Sequence, residues 1–213
     1  SNKEYLEFLK QSGIDSFLRE SPNNHITDKQ SEVNISKNKP IKRLDEITEI
    51  KELIPLIVGY KSSLSNTTKN LVLFDGNIKS KLMIIGETPG NEEDEQGIPF
   101  AGKAGELLNK MLFAIKLERK DIYLTNVLPW KLPQNSAPTD NEILEFLPFL
   151  QRQIEIIKPK FIFLLGTIAA KAILSTPLSL DKLRGKWHDY RSIKMDNSIK
   201  VLTSYHPNFL LQS

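Results

Sequence analysis

Four short apolar runs of strand length, at residues 81–86, 122–127, 161–166 and 201–204, are separated by stretches whose apolar side chains recur every three or four positions. A chain that alternates in this way returns each strand through a helix, which builds a parallel sheet covered on both faces. The helical stretches cover 105–115, Asp140–Ile157 and Thr167–Leu174, with Asp140 and Thr167 as the expected N-caps. The expected class is α/β, a three-layer α/β/α unit around a central four-stranded parallel sheet. In open parallel sheets ligands bind beyond the carboxyl ends of the strands. Glu87 follows the first run, Asn126 closes the second and His206 follows the fourth, so all three are expected at that end.

The rest of the chain supports one main domain, residues 44–213, with an extension ahead of it. Tyr5, Leu6, Phe8 and Leu9 before Gly13, then Ile14, Phe17 and Leu18, predict an amphipathic helical segment over 1–20, of a kind that docks to a protein partner. Residues 21–43 begin with a stretch rich in Ser, Asn, Lys and Pro, a flexible linker composition. From Leu44 through Val58 apolar residues return at helical spacing and lead into the domain. A net charge of +3 permits a phosphate-bearing partner without demanding one. No apolar run approaches the ~20 residues of a membrane span, and the N-terminus has no basic-then-apolar leader pattern, so the expected location is cytoplasmic. The expected state is a monomer. The absence of cysteine excludes disulfides, thiol catalysis and metal or iron–sulfur sites ligated by cysteine.

The chemistry is concentrated in two separated segments. Gly86-Glu87-Thr88-Pro89-Gly90 is followed by Glu92-Glu93-Asp94 and by Gly97-Ile98-Pro99-Phe100, which together offer flexible backbone, carboxylates and an aromatic ring. Far downstream, His206-Pro207-Asn208-Phe209-Leu210-Leu211 offers an imidazole on a rigid turn, then apolar side chains. As two walls of one pocket they suit extraction and cleavage of a flipped base.

These segments, with Ala101-Gly102-Lys103-Ala104-Gly105, Thr125-Asn126-Val127 and Leu183-Arg184-Gly185-Lys186-Trp187, resemble a family 4 uracil-DNA glycosylase from about Leu71 to the chain end. Several motifs in the right order carry the resemblance, where any single one would be weak. It implies hydrolysis of the N-glycosidic bond of deoxyuridine in DNA, the first step of base excision repair, and so uracil-containing DNA as the partner. It also implies a helix beyond Leu211, so either a short native end or a truncated chain is expected here.

Residue by residue, the resemblance makes Phe100 the stacking face for uracil, against the plainer reading of a core phenylalanine. Asn126 would read the uracil edge, donating to one oxygen and accepting from the ring N–H, or else tie down a neighbouring loop. His206 is the expected catalytic donor, stabilising negative charge that develops on the base as the bond breaks. Gly86, Glu87 and Thr88 would line the base, with the Glu87 segment crowding out the methyl group of thymine. Glu93 would orient the attacking water or offset charge on the sugar, or else belong to a solvated acidic loop, and Asn135 is a further candidate to position water. Lys103, Arg184 and Lys186 are expected at phosphates. Pro207, Asn208, Phe209 and Leu210 are expected to wedge into the base stack, although a leucine packed inward is the alternative. His188 is expected to face solvent or phosphate.

One departure from the family pattern stands out. Family 4 members hold an iron–sulfur cluster through cysteines, and the motifs align those positions with Gly59, Ser62, Trp130 and Phe146. The expectation is therefore no cofactor, with a hydrophobic plug in place of the cluster. Two classes of function remain open on the residues: an active, cluster-free glycosylase, or a non-catalytic module that binds uracil-containing or single-stranded DNA.

Overall fold

The computed structural model describes residues 43–212 apart from 61, 63, 67 and 193, so the expected N-terminal helix and nearly all of the linker lie outside the described residues. The described residues form six strands: β1 (Phe74–Gly76), β2 (Leu82–Gly86), β3 (Tyr123–Asn126), β4 (Phe161–Leu165), β5 (Trp187–Tyr190) and β6 (Ile199–Ser204). They make one sheet in the order β1-β3-β2-β4-β6-β5. β3, β2, β4 and β6 are the expected parallel strands, but β1 and β5 add antiparallel edges to β3 and β6. Neither edge carries a strand-like sequence signal. β1 is three residues long and ends in glycine, while β5 reads Trp-His-Asp-Tyr and leaves all but Tyr190 at least partly exposed.

Seven α-helices accompany these strands: α1 (Ile50–Gly59), α2 (Asn91–Gln96), α3 (Lys103–Ala114), α4 (Asp140–Ile157), α5 (Thr167–Leu174), α6 (Leu180–Leu183) and α7 (Pro207–Leu211). The apolar spacing from Leu44 resolves into a 3-10 turn, then α1, then a second 3-10 turn at Leu64–Asn66. The Glu52 carboxylate accepts from the backbone N–H groups of Thr48 and Glu49 and so sets the start of α1. The expected caps also shift by one residue. Thr139 caps α4, its hydroxyl accepting from the Glu142 N–H while the Glu142 carboxylate accepts from the Thr139 N–H, a reciprocal box that makes Asp140 the first helical residue. Gly166, at φ 103°, precedes α5 and brings no side chain to cap it.

Period-two alternation along the strands divides the core. Met83, Ile85, Tyr123, Ile162, Leu164 and Val201 face α1, α4 and α5. Ile84, Leu124 and Leu165 face Leu108 and Leu112 of α3, with Phe100 among them. On the first face Tyr60 meets Phe146 and Phe149 edge to face at 6.0 and 5.6 Å, and Trp130 lies buried in the same cluster. Phe146 is wholly inaccessible, and the indole N–H of Trp130 has no partner among the described residues. The positions that would ligate an iron–sulfur cluster thus carry no thiolate: Trp130 and Phe146 are buried rings, Ser62 is a buried serine and Gly59 is exposed. They do not fit that group.

Candidate active site

The parallel register brings Gly86 of β2 opposite Asn126 of β3, at the carboxyl end of the sheet. Two residues on from Leu124, the Asn126 side chain leaves the strand on the same face as Phe100. A Cβ built on Gly86 would come within 2.4 Å of Asn126 Oδ1 and 2.6 Å of Phe100 Cζ. Only glycine leaves room there, and it is this gap that lets the carboxamide and the ring converge. Asn126 is buried, yet its carboxamide makes no hydrogen bond among the described residues. The carboxamide is thus left with donors and an acceptor that a bound polar edge could pair.

Phe100 lies in the left-handed region at φ 54°, which turns its ring inward against the sheet instead of out from it. The ring meets the imidazole of His206 nearly parallel, with centroids 5.8 Å apart and planes at 18°. His206 is the N-cap of α7, and its Nδ1 accepts the backbone N–H of Asn208 at 3.2 Å. With Nδ1 accepting, the proton of the neutral ring sits on Nε2. Burial pushes the imidazole down to about 4, so it is neutral near pH 7 and presents an N–H donor without a positive charge.

The carboxylates play parts that spacing alone does not reveal. Glu87 accepts the Ile168 N–H at 2.9 Å and so supplies, from the end of β2, the cap that Gly166 lacks. Burial raises its pKa, opposed by backbone hydrogen bonds from Ile168 and Thr167. Thr88 beside it is half-buried. Glu93 is not part of a solvated acidic loop: it is a buried residue of α2, and its carboxylate accepts from the N–H groups of Gly90, Ala101 and Gly102 at 3.0, 3.1 and 3.3 Å. Asn135 occupies an exposed 3-10 turn after β3, where both it and Gln134 have positive φ.

Along the rim, Lys103 starts α3 and is exposed, as are Arg184 and Lys186. Arg184 lies over the Tyr205 ring at 4.6 Å, and Tyr205 in turn stacks on Phe209 at 4.8 Å. Tyr205 went unnoticed in the sequence, although it directly precedes His206; its hydroxyl donates to Asp181 at 2.7 Å. An open cleft of about 530 Å³ runs from Glu87 and His206 past Lys171 to Phe209. Pro207 is buried, while Asn208, Phe209, Leu210 and Leu211 are all exposed, so neither leucine packs inward. His188 is half-buried. Its Nε2 lies 3.0 Å from the Leu183 carbonyl and ties β5 to the end of α6.

The mixed sheet is covered on both faces, and at the carboxyl end of its parallel strands Gly86, Phe100 and Asn126 meet, with the His206 imidazole against the Phe100 ring. Residues 73–213 match the family model of the uracil DNA glycosylase superfamily. Over 155 residues the chain is 37% identical to a type-4 uracil-DNA glycosylase of Archaeoglobus fulgidus, covering 71% of this chain and 77% of that protein. Over 169 residues it is 38% identical to a type-4 uracil-DNA glycosylase of Sulfurisphaera tokodaii, covering 77% of this chain and 75% of that one. It is also 30% identical over 138 residues to a DNA polymerase of Bacillus phage SP01, covering 64% of this chain but only 14% of the polymerase. The chain belongs to the uracil DNA glycosylase superfamily, and its similarity there is to the type-4 enzymes.

Proposed function

We propose that this chain hydrolyses the N-glycosidic bond of deoxyuridine in DNA, releasing uracil and leaving an abasic site for base excision repair. The observation that carries the reading is the Phe100 ring, which meets Asn126 beside Gly86 on one side and the His206 imidazole on the other. Uracil enters extrahelically and stacks on Phe100. Asn126 donates to a uracil oxygen and accepts from the ring N–H, a pattern that cytosine reverses, while the Glu87 segment with Thr88 crowds the position of a thymine methyl. As the C–N bond breaks, its electron pair moves onto the base and the sugar gains oxocarbenium character. The Nε2–H of His206 then strengthens its hydrogen bond to the uracil oxygen without transferring a proton.

For Glu93 the three backbone bonds favour holding the turn that carries Phe100 over directing water, which leaves Asn135 as the candidate to orient the nucleophile. Lys103, Arg184 and Lys186 contact phosphates, Phe209 and Leu210 press into the gap left by the flipped nucleotide, and Pro207 and Asn208 keep that turn rigid. The chain acts as a monomer. Residues 1–20 dock to a protein partner.

The test is incubation with an oligonucleotide carrying one uracil, followed by alkali. Strand scission at the uracil is expected. Tight binding without scission would instead make the chain a non-catalytic binding module.

A further inference from the structure

The turn that carries Phe100 is gripped from both sides by opposite charges. On one side Glu93 takes the N–H groups of Ala101 and Gly102. On the other, Arg119 donates from Nη1 to the Phe100 carbonyl at 3.0 Å and from Nη2 to the Pro99 carbonyl. The Nε of the same guanidinium pairs with Asp75 on the antiparallel edge strand β1. Arg119 and Asp75 are both partly buried, at the edge of an open surface depression. Helix α3 closes the remaining side, because a Cβ at Gly105 would overlap the Phe100 carbonyl oxygen at 1.7 Å.

Phe100 pays for its place with a left-handed backbone that an aromatic residue seldom adopts. A guanidinium suits this task, since its planar fork reaches two successive carbonyls and a carboxylate at once, whereas an ammonium on a flexible stem would hold one of them at a time. The ring at the far end of the turn reaches Gly86 and His206, so a backbone shift of a fraction of an ångström at Pro99 or Phe100 is transmitted to the stacking face. We propose that Arg119, oriented by Asp75, is a positioning residue for uracil recognition: it holds the Phe100 turn in the conformation that presents the ring to the base. The inference rests on the reading of Phe100 as the stacking face for uracil.

The experiment compares wild type with Arg119→Lys and Asp75→Asn, each alone and combined with Phe100→Ala. Two readouts are taken: the affinity for free uracil by calorimetry, and kcat and KM on a uracil-containing oligonucleotide. In the Phe100 background, Arg119→Lys should weaken uracil binding about tenfold and raise KM more than it lowers kcat, because stacking acts on the ground state as well as the transition state. Asp75→Asn should show the same pattern at smaller size. With Phe100→Ala present, neither substitution should weaken uracil binding further, since the ring through which they act is gone. Unchanged uracil affinity in folded Arg119→Lys, or an equal loss with and without Phe100, would overturn the proposal. Failure of the wild-type protein to bind uracil or release it from DNA would instead count against the glycosylase reading.

Discussion

At the carboxyl edge of the sheet the molecule leaves a carboxamide without a hydrogen-bond partner among the described residues and keeps a glycine where any Cβ would collide, whereas on the α1 and α4 face it gathers Tyr60, Phe146, Phe149 and Trp130 in one apolar cluster. The first region is specified atom by atom. On the proposed reading, Asn126, Phe100 and His206 act through hydrogen-bond direction, ring orientation and the proton on one nitrogen, so a change of one atom would alter recognition. The second region requires volume and apolar character. Trp130 and Phe146 stand there at two of the positions where related proteins are expected to carry metal ligands, and the sheet is still supported. The proposed chemistry lies at one end of the strands, and the apolar core beneath it tolerates different side chains.

The contrast can be tested from the packed side first. Phe146→Ala should lower the stability of the domain by about 3–5 kcal/mol in urea unfolding, while kcat/KM per folded molecule stays at the wild-type value. A parallel collapse of kcat/KM would show that the aromatic core shapes the site after all. On the other side, His206→Ala should reduce kcat by about 10²–10³ with little change in DNA affinity or in the urea midpoint. Equal losses in binding and in rate would remove its role in the transition state.

The same imidazole gives a pH signature. In the unfolded chain it takes up a proton near its ordinary value of 6.5, while in the folded protein it resists protonation down to about 4. Between those values the unfolded state binds more protons, so stability rises with pH from about 4 to 6.5 and then levels, a contribution of up to about 3 kcal/mol. Urea titrations at pH 4.5 and 7 should show this slope in wild type and a smaller one in His206→Ala. Smallest of all, Arg184→Ala should weaken binding to DNA of any sequence and reduce the slope of log affinity against log salt by about one. An unchanged slope would mean that Arg184 serves only to brace Tyr205.

Much of this was legible before any coordinates. Helices α4 and α5 occupy the spans their apolar spacing marks out, because a long amphipathic stripe against a sheet leaves little freedom in where it starts and stops. The site motifs were legible for a related reason. Gly86, Glu87, Asn126 and His206 each sit at a strand end, and strand ends follow directly from the apolar runs. The edge strands were not. β1 and β5 lack apolar alternation and exist because β3 and β6 offer unpaired backbone groups at the borders of the sheet. Nor could Glu93 be told from its acidic neighbours, since only the fold brings the amides of Ala101 and Gly102 within reach of its carboxylate.

The sequence by itself determined the layered architecture, the placement of Glu87, Asn126 and His206 at one end of the sheet and the absence of thiolate ligands, because these follow from periodicity, strand order and composition. Tertiary structure alone decided that His206 is neutral with its proton on Nε2, that Asn126 waits without a partner, and that Arg119 and Asp75 reach the turn of Phe100. Those outcomes depend on burial and on hydrogen bonds between residues far apart in the chain. Such contacts leave no local pattern, because the groups meet only after the sheet has formed.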